Sequence, residues 1–283
     1  MSASDSRNSR TVEAENEQGR RVTRLGAVSY LNTKPLVYGL ESNAGFDVRF
    51  DVPSQCAELL EAGATDLGLI PSYEYAHHDN YRIIPHVAIA SRGAVDSVAM
   101  FTTRPISEIR SIALDTSSRT SANLLRLLCA VWFHIEPEFT VVSPHLRAML
   151  HEHDAALLIG DPALFADPIA TGLQKVDLGQ TWQEMTGLPF VWAFWAGRQD
   201  AADASVSRAL RAARDAGLAN VNEIARREAP GDAERQELIV RYLTETIVYD
   251  LDGPFERGLR TYYKLLAEQN LLNGAVDLRF FGD

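Results

Sequence analysis

Short apolar runs alternate with amphipathic segments along most of the chain. The apolar runs predict strands over 25–28, 46–52, 67–70, 95–103, 111–114, 140–142, 155–159 and 190–195. Apolar residues at helical spacing predict helices between them, over 54–62, 118–133 and 145–151. This alternation is typical of βαβ units built around mostly parallel sheets.

The pattern changes after Gly197. Residues 204–227, 232–246 and 254–272 are predicted to form consecutive amphipathic helices. Two strand-rich regions followed by a helical tail favour two α/β lobes over a single wound sheet. We predict a first lobe of residues 22–102 plus 197–283, on which the C-terminal helices pack, and a second lobe of residues 103–196. A single α/β domain with a helical appendage is the alternative.

Composition and charge narrow the class of protein. The chain has 283 residues, 46% of them hydrophobic, and a net charge of −11, so nucleic acid and anionic membranes are poor partners. No apolar run reaches the ~18 residues that a membrane helix requires. Residues 1–21 are polar and predict a disordered tail rather than a secretory signal. Cys56 and Cys129 form no paired framework, which favours packed thiols in a reducing compartment, and we expect a cytoplasmic protein.

The first polar cluster follows a predicted strand that ends at Val28. Ser29, Asn32 and Thr33 can supply hydroxyl and amide donors there. Ligands of open α/β sheets bind beyond the carboxyl ends of strands, which makes this segment a candidate binding site. From spacing alone, Asn32 or Thr33 could equally cap the helix that follows.

The most informative cluster is the hydroxyl-rich turn between the strand at 111–114 and the apolar helix after it, with the sequence Asp-Thr-Ser-Ser-Arg-Thr-Ser over 115–121. Unpaired N–H groups and the positive end of the helix dipole converge at such a turn and favour an anion. Arg119 adds a guanidinium donor, and the hydroxyls outnumber those needed for capping. We therefore predict a carboxylate site here.

Three further strand ends allow two interpretations each. Ser72 could face a ligand or begin a helix, and Gly160 permits close backbone approach while Asp161 could cap the next helix. The segment around Pro189 could wall a ring-shaped ligand or simply pack in the core.

His77, His78 and the group at 151–154 lack the spacing of a zinc site, so no metal is expected. Glycine-rich nucleotide motifs and the serine-hydrolase elbow are absent from the sequence.

These segments together resemble the chorismate dehydratase family of the futalosine route to menaquinone. The resemblance rests on five motifs in matching order within residues 24–272: SYLNTKPL at 29–36, IPSYEY at 70–75, DTSSRTS at 115–121, IGDPAL at 159–164 and TGLPF at 186–190. It implies a type II periplasmic-binding-protein-like fold, with a mixed sheet flanked by helices in each lobe and a ligand cleft between the lobes. It further implies dehydration of chorismate to 3-[(1-carboxyvinyl)oxy]benzoate without a cofactor.

The resemblance also suggests which residues act. Asn32 is the predicted catalytic residue, orienting an enolpyruvyl carboxylate that takes the proton, although Glu74 or Asp161 could instead act as a protein base. The expected substrate-binding residues are Ser29, Tyr30, Ser72, Ser97, Ser118, Arg119, Thr120, Ser121, Gly160, Asp161 and Pro189. Two other functions remain open: a non-catalytic cytoplasmic binding protein for a small carboxylate, and the related dihydroxynaphthoate synthase of the same pathway. The sequence leaves the oligomeric state open.

Overall fold

The fold consists of two mixed β-sheets with helices packed against them. The structure is a computed structural model that describes residues 22–167 and 172–282. Its strands are β1 Thr23–Val28, β2 Phe46–Asp51, β3 Leu67–Pro71, β4 Tyr81–Ser91, β5 Val98–Thr102, β6 Ser111–Asp115, β7 Glu138–Val142, β8 Ala155–Ile159, β9 Gln174–Asp177, β10 Phe190–Arg198 and β11 Ile247–Val248. The predicted disordered tail lies outside the described residues.

The α-helices lie between and after these strands. They are α1 Pro53–Glu61, α2 Ser72–Tyr75, α3 Thr120–Leu128, α4 Leu146–Glu152, α5 Asp161–Leu164, α6 Leu178–Thr186, α7 Ala204–Ala219, α8 Val221–Glu228, α9 Ala233–Arg241 and α10 Gly253–Glu268. Short 3₁₀ helices cover Leu31–Val37, Leu40–Ser42 and Ile106–Glu108, and π-helical turns extend α3 over Cys129–Phe133 and α9 over Tyr242–Thr246.

Each sheet combines parallel and antiparallel pairing. The first has the strand order β11-β4-β10-β3-β1-β2, and the second has β7-β6-β8-β5-β9. In the first sheet β1 pairs in parallel with β2 and β3, whereas β10 runs antiparallel to β3 and β4. In the second, β6 is parallel to β7 and β8, whereas β5 is antiparallel to its neighbours. The predicted α/β fold with a mixed sheet in each half is confirmed.

The chain passes between the sheets earlier than the predicted lobe boundaries. Residues Val98–Thr102, which the prediction gave to the first lobe, pair within the second sheet. The strand Phe190–Arg198, of which the prediction gave all but the last two residues to the second lobe, pairs within the first sheet. The connecting segments are therefore 92–97 and 187–189, since each strand stays in one sheet along its full length.

Continuous apolar runs account for the central strands. All five residues of β8 are buried, as expected of a strand covered on both faces. The C-terminal helix α7 packs on β4 and on the 3₁₀ helix Leu31–Val37, and α10 packs on β10. Cys56 and Cys129 are buried free thiols, as predicted, and burial raises the pKa of each to about 12. No described helix has the length and apolarity needed to cross a membrane.

Candidate functional site

The loop after β1 brings two predicted residues towards the second sheet. A 3₁₀ helix begins at Leu31, directly after Tyr30, and holds Asn32 in its first turn. The Asn32 side chain donates from Nδ2 to the Tyr242 hydroxyl at 3.2 Å. Its Oδ1 atom is buried and has no hydrogen-bond partner among the described residues. The Asn32 side chain therefore does not cap the 3₁₀ helix, and the second Nδ2 hydrogen is the donor that a ligand carboxylate can use.

The turn between β6 and α3 uses some of its hydroxyls for its own backbone. Asp115 Oδ1 accepts hydrogen bonds from the Ser117 backbone N–H at 2.8 Å and from the Ser117 hydroxyl at 2.6 Å. The Ser118 hydroxyl accepts from the Ala122 N–H at 3.1 Å and so caps the helix. The capping interpretation therefore applies to Ser118. This residue does not line the cleft, and its contact with a ligand stays a prediction.

The remaining polar residues of that turn line a cleft between the two sheets. Arg119, Thr120 and Ser121 line the same cleft, and their backbone N–H groups lie at the start of α3. The Thr120 hydroxyl accepts from the Tyr73 N–H at 3.0 Å, whereas the Ser121 hydroxyl has no hydrogen-bond partner within the described residues. Nη2 of Arg119 lies 3.5 Å from Oε1 of Glu58, and Nε of Arg119 lies 3.6 Å from Oε1 of Glu74. The Arg119 side chain is exposed. These donors, with the helix dipole, suit a carboxylate.

The cleft itself lies between the two sheets. It contains about 540 Å³ of space that is continuous with open solvent. Its predicted members are Tyr30, Asn32, Ser97, Arg119, Thr120, Ser121 and Gly160, and its apolar wall includes Val28, Pro53, Pro71, Ile89, Val95, Val98, Ile159, Trp192 and Ala193. Asn32 from the first sheet's side and Arg119 from the second's thus share one crevice.

Four other predicted residues do not line this cleft. Ser29 is exposed at the end of β1, and the Ser72 hydroxyl donates to the Val191 carbonyl at 2.8 Å. Asp161 Oδ1 accepts from the Leu31 N–H at 3.0 Å, which joins the two halves of the protein. The Pro189 carbonyl accepts from the buried Trp182 indole at 3.2 Å. Ser72, Asp161 and Pro189 therefore support the surroundings of the cleft, and direct ligand contact by these four stays a prediction.

Tyr30 and Gly160 meet across the cleft. Gly160 has φ 65° and ψ −147°, a conformation essentially restricted to glycine. A Cβ atom at this position would lie 2.5 Å from Cδ2 of Tyr30, so the glycine lets the ring approach the backbone. The Tyr30 hydroxyl is 3.1 Å from the Ser117 hydroxyl. Because Ser117 donates to Asp115, Tyr30 donates to Ser117.

Burial favours the protonated form of the two titratable groups in this chain, Tyr30 and Asp115. It raises the pKa of Asp115, whereas the two bonds from Ser117 oppose that shift. It also raises the pKa of the Tyr30 phenol to about 12, so the hydroxyl keeps its proton near neutral pH. The cleft therefore presents neutral hydroxyls beside Arg119.

Two contributors were not predicted from the sequence. Ser117 lies in the hydroxyl-rich turn but is not among the predicted ligand contacts, and its hydroxyl links Tyr30 to Asp115. Tyr242, 210 residues after Asn32, was assigned only to a helix. Its apolar helical spacing carried no signal for a site, because a buried core tyrosine gives the same pattern.

A second, larger groove of about 1,020 Å³ is lined by Asp66, Asp200 and Asp203. Asp66 is paired with Arg24, whereas the negative charges of Asp200 and Asp203 oppose an anionic ligand, so this groove is unsuited to the predicted chemistry. Within residues 22–167 and 172–282, no three His, Cys, Asp or Glu side chains are grouped as a metal site would need.

Two mixed sheets flanked by helices, with a cleft between them, define a periplasmic-binding-protein-like fold. AF1704 from Archaeoglobus fulgidus has the same fold, with a TM-score of 0.71 and 19% identity over 88% of this chain and 98% of that one. The periplasmic aliphatic sulphonate binding protein SsuA from Escherichia coli is also similar in fold, with a TM-score of 0.59 and 15% identity over 91% and 90% of the two chains.

Sequence comparison identifies the family. The family model described as menaquinone biosynthesis matches residues 23–268, and the chain belongs to this family. The chain is also 32% identical over 259 residues to the chorismate dehydratase of Thermus thermophilus, covering 86% of this chain and 94% of that protein. The predicted resemblance is confirmed.

Proposed function

We propose that this protein is an enzyme, a hydro-lyase that converts chorismate to 3-[(1-carboxyvinyl)oxy]benzoate and water. The observation that carries the proposal is the shared cleft, in which Asn32 and Ser97 lie with Arg119 and Ser121. Family membership and the Thermus relative named chorismate dehydratase support the same substrate. Chorismate is a dianion, so it needs two sets of donors.

The two carboxylates are assigned to opposite sides of the cleft. One is held by the Arg119 guanidinium, the Ser121 hydroxyl and the backbone N–H groups at the start of α3. The other is held by Asn32 and Ser97, while Trp192 and the aliphatic wall cover the ring. Donors fixed by the protein need no reorganisation when charge develops in the transition state.

The reaction is an elimination. The C–H bond at the ring carbon that carries the enolpyruvyl ether breaks. Its electron pair delocalises through the adjacent double bond onto the ring carboxylate. The neighbouring C–O bond then breaks, the hydroxyl leaves with the abstracted proton as water, and the ring becomes aromatic. Hydrogen bonds to the ring carboxylate strengthen as charge arrives there, which favours the transition state over the ground state.

The contacts of the candidate bases favour a substrate-assisted proton transfer. Asp161 uses a carboxylate oxygen to hold the Leu31 N–H, and Glu74 lies against Arg119. We therefore assign the proton to the enolpyruvyl carboxylate, which Asn32 orients. This requires no protein carboxylate in contact with the reacting carbon.

Replacing Asn32 by Asp tests this role, with turnover of chorismate followed by the ultraviolet absorbance of the aromatic product. The change keeps the shape of the side chain and places a negative charge against the substrate carboxylate. A charge pair at 4 Å costs about 4 kcal/mol at an effective dielectric constant of 20, so kcat/KM should fall at least 100-fold.

Asn43→Asp is the matched control, because it makes the same change in net charge at an exposed loop residue. It should turn over chorismate at the wild-type rate. If Asn32→Asp also does so, the role given to Asn32 is wrong. If wild type binds chorismate in calorimetry but forms no product, the protein is a carboxylate-binding protein instead.

A further inference from the structure

The hydroxyl of Tyr242 lies between two side chains of the cleft. Tyr242 is the first residue of the π-helical turn after α9, and it is buried. It accepts a hydrogen bond from Asn32 Nδ2 at 3.2 Å and donates to Ser97 Oγ at 2.7 Å. Three residues far apart in the chain therefore share one hydrogen-bonded row.

We propose that Tyr242 is a positioning residue, which orients the Asn32 amide and the Ser97 hydroxyl towards the substrate. This inference deepens the proposed dehydration and rests on it. Tyr242 does not line the cleft, so it acts through its two neighbours rather than by contact with the substrate.

The number of hydrogens on each group determines which group donates in these two hydrogen bonds. A phenol has a single hydrogen, and Tyr242 gives it to Ser97, so Asn32 must supply the hydrogen in its own bond with Tyr242. Burial raises the pKa of Tyr242 well above the usual range, so the phenol keeps this hydrogen at the working pH.

This direction prepares both neighbours for an anion. Ser97 Oγ receives the Tyr242 hydrogen, which leaves the Ser97 hydrogen free to point at a substrate oxygen. The second Nδ2 hydrogen of Asn32 is likewise free for a substrate carboxylate. The Ser97 backbone is held separately, because its carbonyl accepts from the Gly160 N–H at 2.8 Å.

Without the Tyr242 hydroxyl, the Asn32 amide loses its anchor. The last torsion of an asparagine side chain is soft and roughly two-fold, so the amide can then rotate and exchange its nitrogen and oxygen positions. A rotated amide presents its oxygen to the substrate carboxylate, which repels it. The loss should fall mainly on kcat, since Arg119 and Ser121 still hold the other carboxylate.

Tyr242→Phe removes this one oxygen, and Tyr249→Phe is its matched control. Tyr249 is also a buried tyrosine, seven residues further on, and its hydroxyl has no hydrogen-bond partner among the described residues. Tyr242→Phe should lower kcat about 10- to 100-fold with KM changed less than about threefold. Tyr249→Phe should keep the wild-type values of both.

Ser97→Ala and the double variant with Tyr242→Phe complete a thermodynamic cycle. If Tyr242 acts through Ser97 and Asn32, the combined loss in kcat is smaller than the product of the two single losses. Independent multiplication of the losses, or an equal fall in Tyr249→Phe, overturns the proposal. Thermal unfolding of each variant identifies any general loss of fold.

A measurement without turnover separates this inference from the proposed function. In ¹⁵N NMR spectra, the Asn32 side-chain amide signal should shift in Tyr242→Phe and stay in place in Tyr249→Phe. If wild type fails to dehydrate chorismate but this shift occurs, only the proposed function is wrong. If wild type is active and the signal does not move, the positioning role is wrong.

Discussion

The hydroxyls around Arg119 divide into two groups by what they bond. Ser117 and Ser118 satisfy the turn itself, the first through Asp115 and the second through the Ala122 N–H. Ser121 and the first backbone N–H groups of α3 are left for the cleft. A cap and an anion site therefore coexist in one turn, because capping satisfies only part of the donors at a helix start.

Gly160 is the residue whose side chain would most directly disturb the cleft. Gly160→Ala adds a methyl group that overlaps the Tyr30 ring, and it places alanine at φ 65°. Displacing Tyr30 breaks its bond with Ser117 and narrows the cleft, so kcat/KM should fall about 100-fold. Steady-state turnover of chorismate measures this.

Gly172→Ala separates the clash from the backbone strain. Gly172 has nearly the same φ, 66°, and a Cβ there meets nothing within 4 Å. Both variants bear a backbone cost of about 1–3 kcal/mol, visible in urea unfolding. Equal activity of the two alanine variants would contradict the proposed importance of the Tyr30–Gly160 contact.

At the scale of elements, strands could be predicted where the pattern of neighbouring residues alone determines them. Ala155–Ile159 was predicted to the residue, because five consecutive apolar residues between Asp154 and Gly160 leave little choice. The strand Tyr81–Ser91 was missed, since Pro85 within it normally argues against a strand. In the structure Pro85 and His86 lie in an irregular segment, where the β10 register shifts between Ala88 and Ile83. His86 has φ 63° there.

In the candidate site, too, features that depend on neighbouring residues could be predicted, whereas contacts between distant parts of the chain could not. The turn at 115–121 was predicted as an anion site from its own composition, and it lines the cleft. The link from Asn32 to Tyr242 could not be predicted, because it depends on how the C-terminal helices pack 210 residues later. Ser72 lies in a motif that resembles the family, but the direction of its hydroxyl, towards the Val191 carbonyl, follows from tertiary packing.

The close packing of α7 on the 3₁₀ helix Leu31–Val37 fixes the element that carries Asn32. A Cβ at Gly217 would overlap the Pro35 backbone, which cannot move as a side chain can. Gly217→Ala should therefore lower the free energy of unfolding by about 1–3 kcal/mol and shift the 3₁₀ helix. Chorismate turnover should fall with it, since Asn32 moves away from Ser97.

Ala212→Gly in the same helix provides the control. This exposed position weakens α7 by about 1 kcal/mol through helix propensity alone. It should reduce stability in urea unfolding and leave kcat and KM at wild-type values. A loss of turnover in Ala212→Gly as large as that in Gly217→Ala would assign the effect to general destabilisation.

At the scale of the whole molecule, a net charge of −11 opposes a dianionic substrate. The cleft overcomes this field locally, with Arg119, a helix start and neutral hydroxyls on its walls. Its geometry depends on contacts that join the two halves, among them the Asp161 bond to the Leu31 N–H and the Tyr30 bond to Ser117. Substrate affinity is therefore coupled to how firmly the halves are held together.

Asp161→Ala should weaken that coupling. It removes the acceptor of the Leu31 N–H, so the halves separate more readily and less of the protein is competent to bind. This leaves the buried Leu31 N–H without an acceptor, which costs about 1–3 kcal/mol, so KM should rise about tenfold or more, and small-angle scattering should show a larger radius of gyration. Asp161→Asn keeps an acceptor oxygen, and because burial raises the pKa of Asp161 the loss of its charge carries little cost. The asparagine variant should match wild type in KM, kcat and scattering. A wild-type KM in Asp161→Ala would show that the halves are held by other contacts, and loss of kcat in Asp161→Asn would make this carboxylate the base.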